Sequence, residues 1–265
     1  MTRIRRQKIG LALGSGGPKG LAHIGVIKVL EENNIPIDFI AGSSIGAMVG
    51  GFYAATKDVE RMEKLAIGTD WKSILSLVDP SLKHGLFAGK KVKMFIESHI
   101  DKMHFQDLMI PFSVVATDLK SGEATLIDDG EVAVAVRASV SSPLVFEPVE
   151  RKDTLLIDGG LSMPVPVSIV KDMGADLVIA VNLDADYFNE DNNENNNFNF
   201  YKIASNSINM LRYHLSFWNT QHADVVITPK SGNAHWNKFA DGKDIILNGE
   251  QATKDQLNKL KKLIQ

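Results

Sequence analysis

Two glycines bracket a serine at two-residue spacing in Gly42-Ser43-Ser44-Ile45-Gly46, between the apolar run 38–41 and the small-residue run 45–55. The first run reads as the end of a buried strand and the second as a helix. A serine at such a junction projects its hydroxyl from a sharp turn, at the positive end of a helix dipole. Gly42 and Gly46 let strand and helix approach where any Cβ would clash. This is the setting of a serine nucleophile, which needs a base for its proton and donors for an oxyanion.

Candidate donors lie upstream in Gly14-Ser15-Gly16-Gly17-Pro18-Lys19-Gly20, a turn that leaves the first strand and opens the first helix. Backbone N–H groups there form an anion site, beside Ser44 if the two strands are neighbours in a parallel sheet. A dinucleotide loop fits less well. Counted from Gly14, the third glycine of that fingerprint falls on Lys19; counted from the next position, the first residue is Ser15; and no Gly-Lys-Ser/Thr follows. For the base, none of His23, His84, His99, His104, His214, His222 and His235 follows a late strand, where a hydrolase triad places its histidine. His23, within the first helix, reads as a packed or capping residue. A carboxylate is the better candidate: Leu155-Leu156-Ile157-Asp158-Gly159-Gly160 is a buried strand ending in Asp158, followed by two glycines.

These residues need a scaffold, and the hydrophobic pattern supplies one. Apolar runs at 8–13, 38–41, 111–117, 124–127, 154–157, 177–182 and 224–228 read as strands. Helical periodicity marks 19–33, 45–55, 58–67, 90–99, 131–139, 165–173, 206–217 and 250–264. The alternation predicts an α/β fold, a mostly parallel central sheet flanked by helices. Residues 56–110 carry no strand signal and read as a helical and loop insertion over the sheet. Its apolar residues Leu75, Leu77, Val78, Leu86, Phe87, Met94, Phe95, Met103 and Phe105 are suited to shaping an acyl groove. Residues 8–228 are expected to form one domain, with 229–265 a helical extension packed on it. The Asn-rich segment 189–199 reads as a surface loop.

Composition narrows the classes further. A net charge of −3 gives no electrostatic case for nucleic acid or an anionic membrane. With no cysteine, disulfides, thiolate metal sites and a Cys nucleophile are excluded. There is also no His-x-x-x-His pair on a helix and no acidic loop of calcium-binding spacing, so neither metal nor cofactor is expected. The basic residues 2–8 meet glycines too soon to form a secretion signal, and no apolar run approaches about 18 residues. A soluble, cytoplasmic protein is the expectation.

Taken together, the glycine-rich turn with Lys19, the Leu21-Ala22-His23-Ile24-Gly25-Val26 helix start, the Ser44 motif, the segment Ala138-Ser139-x-Ser141-x-Pro143 and Asp158-Gly159-Gly160 resemble the patatin-like phospholipase family, especially its bacterial members. The resemblance runs from about residue 9 to 182. It implies a three-layer sandwich and a Ser–Asp dyad without histidine, with Ser44 as nucleophile and Asp158 as base. It further implies an oxyanion hole at Ser15, Gly16 and Gly17, supported by Lys19, Gly20, Gly42, Gly46, Gly159 and Gly160. Lys19 stands where the family has Arg or Lys near that hole, whereas Ser15 departs from the family's usual glycine. The implied reaction is hydrolysis of fatty-acyl esters of phospholipids or lysophospholipids, with peripheral contact to a membrane. Acyl transfer, and a regulatory or adaptor role on the same fold, remain as alternatives.

Overall fold

Five apolar runs lie side by side and point the same way: β3 (Phe112–Asp118), β2 (Phe39–Ser43), β1 (Ile9–Leu13), β7 (Leu177–Val181) and β8 (Val225–Ile227), in that spatial order. The computed structural model describes residues 5–68, 87–188, 199–230 and 242–264. Leu75, Leu77, Val78 and Leu86 of the expected insertion, and all of the Asn-rich segment but Asn199, lie outside them. Three further strands, β4 (Ala124–Ile127), β5 (Val149–Arg151) and β6 (Thr154–Asp158), join antiparallel, so the sheet is mixed with a parallel centre.

Strands covered on both faces read as continuous hydrophobic runs, yet alternation still sorts their side chains. Ile9, Leu11, Leu13, Ile40, Val114 and Ile179 point into the larger core. That core is closed by α1 (Ala22–Glu32), α2 (Ile45–Thr56), α3 (Val59–Gly68), α4 (Lys90–Ile100), α5 (Val132–Ser139) and α8 (Gly242–Ile264). Ala12, Ala41, Val178 and Ala180 point the other way, onto Val167 and Val170 of α6 (Val167–Asp172). The long α7 (Phe200–Thr220) packs beside α6. Helices thus cover both faces. Among the described residues, no helix is long and apolar enough to cross a membrane.

The pairing around β3 decides where the site forms. Val114 and Val115 each pair with β2 and with β4, and Ala116 and Thr117 each pair with β4 and with β6. A strand residue has two edges, so β4 occupies one edge of β3 throughout, and β2 and β6 share the other. Ser43 sits opposite Val115 and Asp158 opposite Ala116. β2 and β6 therefore run toward each other along one edge of β3 and end at adjacent positions. Whatever follows Ser43 meets Asp158.

Candidate active site

Ser44 is the first residue past β2 and the cap residue of α2, with φ 54° and ψ −121°. That backbone conformation is strained for a residue with a side chain, by about 1–3 kcal/mol. It persists because its neighbours hold it. The Ser44 N–H donates to Ser139 Oγ at 2.7 Å, and the Ser139 hydroxyl donates to the Val115 carbonyl at 2.6 Å. The end of α5 thereby ties the turn to β3. A Cβ on Gly46 would lie 2.2 Å from the Leu13 carbonyl oxygen, so only glycine lets α2 start against the end of β1. Gly42 packs likewise against the backbone of Gly46 and Ala47.

The Ser44 hydroxyl donates to Asp158 Oδ2 at 2.8 Å, across 114 residues of sequence. The other carboxylate oxygen accepts the Gly160 N–H at 2.8 Å. Asp158 is fixed through its backbone as well: its N–H donates to the Ser141 carbonyl at 3.0 Å, and its carbonyl accepts the Thr117 hydroxyl at 2.8 Å. Gly159 fits against β3 only without a side chain, because a Cβ would meet the Val115 carbonyl oxygen at 2.1 Å. Both Ser44 and Asp158 are 9% exposed. Burial raises the Asp158 pKa, while the Gly160 and Ser44 hydrogen bonds and the charge of Arg212 pull it back down. The result is a carboxylate more basic than one in water, in contact with the hydroxyl it could deprotonate.

The glycine-rich turn leads into a short 3₁₀ helix (Gly17–Leu21), with Gly17 at φ 56°. One expectation about this turn is corrected. The Ser15 N–H donates to the Pro164 carbonyl at 2.8 Å and is not available to an oxyanion. The Ser15 hydroxyl is buried without a partner and lies against Gly160, where an added Cβ would come within 2.8 Å of it. The N–H groups of Gly16 and Gly17 donate to no acceptor among the described residues. Gly16 backs onto Leu183, Gly20 packs on the Ile45 side chain, and Lys19 is half-buried in the 3₁₀ turn.

His23 is fully buried, with Nε2 2.8 Å from the Gly14 carbonyl oxygen; desolvation lowers its pKa to about 4. It anchors the turn as a neutral ring. No described histidine hydrogen-bonds to Ser44 or Asp158; His84 and His235 lie outside the described residues.

Two sets of residues around Ser44 and Asp158 have roles that sequence reasoning does not reach. The sequence marks Ser139 and Ser141 only as part of a motif, yet they brace the two halves of the pair. Asp184, 1% exposed, is gripped by Arg212 through Nε at 2.9 Å and Nη2 at 2.7 Å. No motif signals an ion pair whose members lie 28 residues apart on a loop and a helix.

A family model described as Patatin-like phospholipase matches residues 11–171. An uncharacterised NTE family protein of Mycobacterium bovis is 40% identical over 177 residues, which is 66% of this chain and 49% of that protein. Lysophospholipase nte1 of Emericella nidulans is 34% identical over 187 residues, 68% of this chain and 12% of that one. The chain therefore spans about half the length of the first relative and far less of the second. VipD from Legionella pneumophila shares the fold, with a TM-score of 0.60 at 15% identity, over 96% of this chain and 67% of that one. The chain belongs to the patatin-like phospholipase family.

Proposed function

From membership of this family and the meeting of Ser44 with Asp158, we propose that the protein is a serine hydrolase of lipid acyl esters. The observation that carries the reading is the 2.8 Å hydrogen bond from the Ser44 hydroxyl to Asp158 Oδ2 at the start of α2. In the first step Ser44 Oγ attacks the ester carbonyl carbon as its proton passes to Asp158. The carbonyl electron pair moves onto oxygen, facing the Gly16 and Gly17 N–H groups and the α2 dipole. Collapse expels the alcohol, which takes the proton from Asp158 and leaves an acyl-serine. Water then attacks the acyl-serine and gives a proton to Asp158; collapse releases the carboxylic acid as Ser44 Oγ takes that proton back.

An apolar cavity of about 50 Å³ has room for a few methylene groups and supports a substrate with an apolar acyl group. It is lined by Leu21 and Ile24, by Ile45 (the residue after Ser44), Met48 and Phe52 of α2, and by Met62, Leu65 and Phe95 of α3 and α4. Of the insertion residues expected to shape such a groove, Phe95 lines it, while Met94 is 64% exposed. The outward side of α7 supports contact with a lipid surface. Phe200, Ile203, Met210, Leu211, Phe217 and Trp218 are all exposed and fall on one broad, uncharged face, the pattern of a helix lying in an interface.

Labelling of the purified protein with a fluorophosphonate, together with hydrolysis of a lysophospholipid, tests the proposal. Ser44→Ala should lose both the label and on the order of a millionfold in turnover. Turnover by Ser44→Ala would overturn the reading. Labelling at Ser44 with transfer to an alcohol but not to water would favour acyl transfer, and an unlabelled protein would favour the adaptor.

A further inference from the structure

The carboxylate of Asp158 has two charged neighbours whose arrangement is more elaborate than a structural ion pair needs. Asp184 follows β7 and accepts three side-chain donors: Arg212 Nε at 2.9 Å, Arg212 Nη2 at 2.7 Å and the Ser216 hydroxyl at 3.0 Å. Its backbone N–H is held by Asn182 Oδ1 at 2.9 Å. The guanidinium is therefore fixed in orientation. α7, which carries Arg212, packs against the 3₁₀ turn Gly159–Leu161 that directly follows Asp158. Leu183, beside Asp184, packs against Gly16 of the glycine-rich turn. Arg212 and Asp158 act on each other electrostatically without a hydrogen bond between them, and Asp184 acts on Asp158 with the opposite sign. An ion pair with one member buried and the other partly so adds little stability over apolar residues of the same size, so its place behind the dyad asks for another role.

We propose that Arg212, locked by Asp184, is a positioning residue for the reaction: its partly buried positive charge keeps the Asp158 carboxylate ionised and ready to accept the Ser44 proton. The inference rests on the proposed dyad. The proton passes from Ser44 Oγ to Asp158 Oδ2 and on to the leaving alcohol; Arg212 and Asp184 exchange none. The charged groups facing Asp158 are Arg212 from α7 and Asp184 from the segment after β7, and its uncharged donors are Ser44 and the Gly160 N–H. Without Arg212, two carboxylates share one buried region, and one of them takes a proton. Without Asp184, the anion opposing Asp158 is gone and Arg212 has a single carboxylate to serve.

The two losses therefore move the pH profile in opposite directions. In Arg212→Gln the acidic limb of kcat/KM should move to higher pH, with turnover at pH 7 down roughly 10²-fold, within the range of general-base catalysis. Arg212→Lys keeps the charge and should recover most of that loss. In Asp184→Asn the limb should move to lower pH. Limbs that stay in place while the amplitude falls, or that move the same way in both variants, would overturn the proposal. If Arg212→Gln does not fold, Arg212→Lys and Asp184→Asn still carry opposite expectations: no shift in the first and a downward shift in the second. A second measurement separates this proposal from the dyad reading. Urea denaturation of the full chain at pH 7, with Arg212→Lys and Arg212→Gln each made with and without Asp158→Asn, reads the Arg212–Asp158 coupling without any catalysis. Additive effects would overturn the role of Arg212. Coupling in a protein that hydrolyses no ester would support the charge arrangement and count against the dyad reading alone.

Discussion

Lowering the pH from 7 to 4 should destabilise the fold through His23, by an amount the structure allows to be worked out. The ring is fully buried and its pKa falls from 6.5 to about 4. The unfolded chain takes up the proton near pH 6.5, whereas the folded protein refuses it until about pH 4. Stability is thus fully present above pH 6.5 and is lost progressively as the pH drops to about 4. At about 1.36 kcal/mol per pKa unit, the loss is about 3 kcal/mol, a large share of a typical folding free energy of 5–15 kcal/mol. The assay is urea denaturation at half-unit steps from pH 4 to 8, on the wild type and on His23→Gln, whose amide nitrogen can reach the same Gly14 carbonyl. The wild type should lose about 3 kcal/mol more than the variant across the range. Every other titrating group, Asp158 included, is common to both proteins and drops out of the difference. Parallel curves, or a His23 ring that titrates near 6.5 in the folded protein by NMR, would refute the reasoning.

Other outcomes follow from the same geometry. Asp158→Asn should lose at least 10²-fold in turnover while unfolding at a higher temperature at pH 7. A raised carboxyl pKa gives stability that is present at low pH and lost as the pH rises through it, so the advantage of the amide should vanish on acidification. Ser15→Ala removes a buried hydroxyl that has no partner, and should leave Tm unchanged or raise it; a clear drop in Tm would show that the hydroxyl is satisfied in solution. Met48→Ala should shift ester preference toward longer acyl chains and Met48→Phe toward shorter ones, read as relative kcat/KM over a chain-length series. An unchanged preference in both would place the acyl chain elsewhere.

Much of this molecule can be read from the chain because its signals are local. The run 38–41, the Ser44 motif and the small-residue helix behind it occupy one continuous stretch, and β2 differs in starting at Phe39 and continuing to Ser43. Where the reading fell short, the cause lay at a distance. β5 is three residues, Val149–Arg151, and its half-exposed Val-Glu-Arg shows no alternation to detect. α7 begins at Phe200, six residues earlier than its periodicity suggested, because Asn199 caps it by accepting the Lys202 N–H. α8 begins at Gly242 rather than 250. Gly249 looks like a helix breaker, but a Cβ there would lie 2.0 Å from the Ala22 carbonyl oxygen; the glycine lets α8 rest on α1. Ser44 and Asp158 could each be named from sequence, since one directly follows a strand and the other ends one. The tethering of Ser15 to Pro164 and the grip of Arg212 on Asp184 depend on loops that meet only in the fold.

The shared edge of β3 has a consequence for how the molecule comes of age. Ser44 and Asp158 reach that edge from segments 114 residues apart, and neither segment contains the other's partner. A nascent chain that has emerged only as far as β4 already carries Ser44, yet holds an ordinary, unactivated serine. A slip of β6 by a single residue would turn Asp158 to the opposite face of the sheet. On the proposed function, competence would come with completed topology rather than with the presence of the residues, and a half-made or misregistered chain should be chemically silent. The same logic makes the β4–β5 connection a natural place to divide the protein. Two inert fragments, cut between Ile127 and Val149, should regain fluorophosphonate reactivity only when they reassociate.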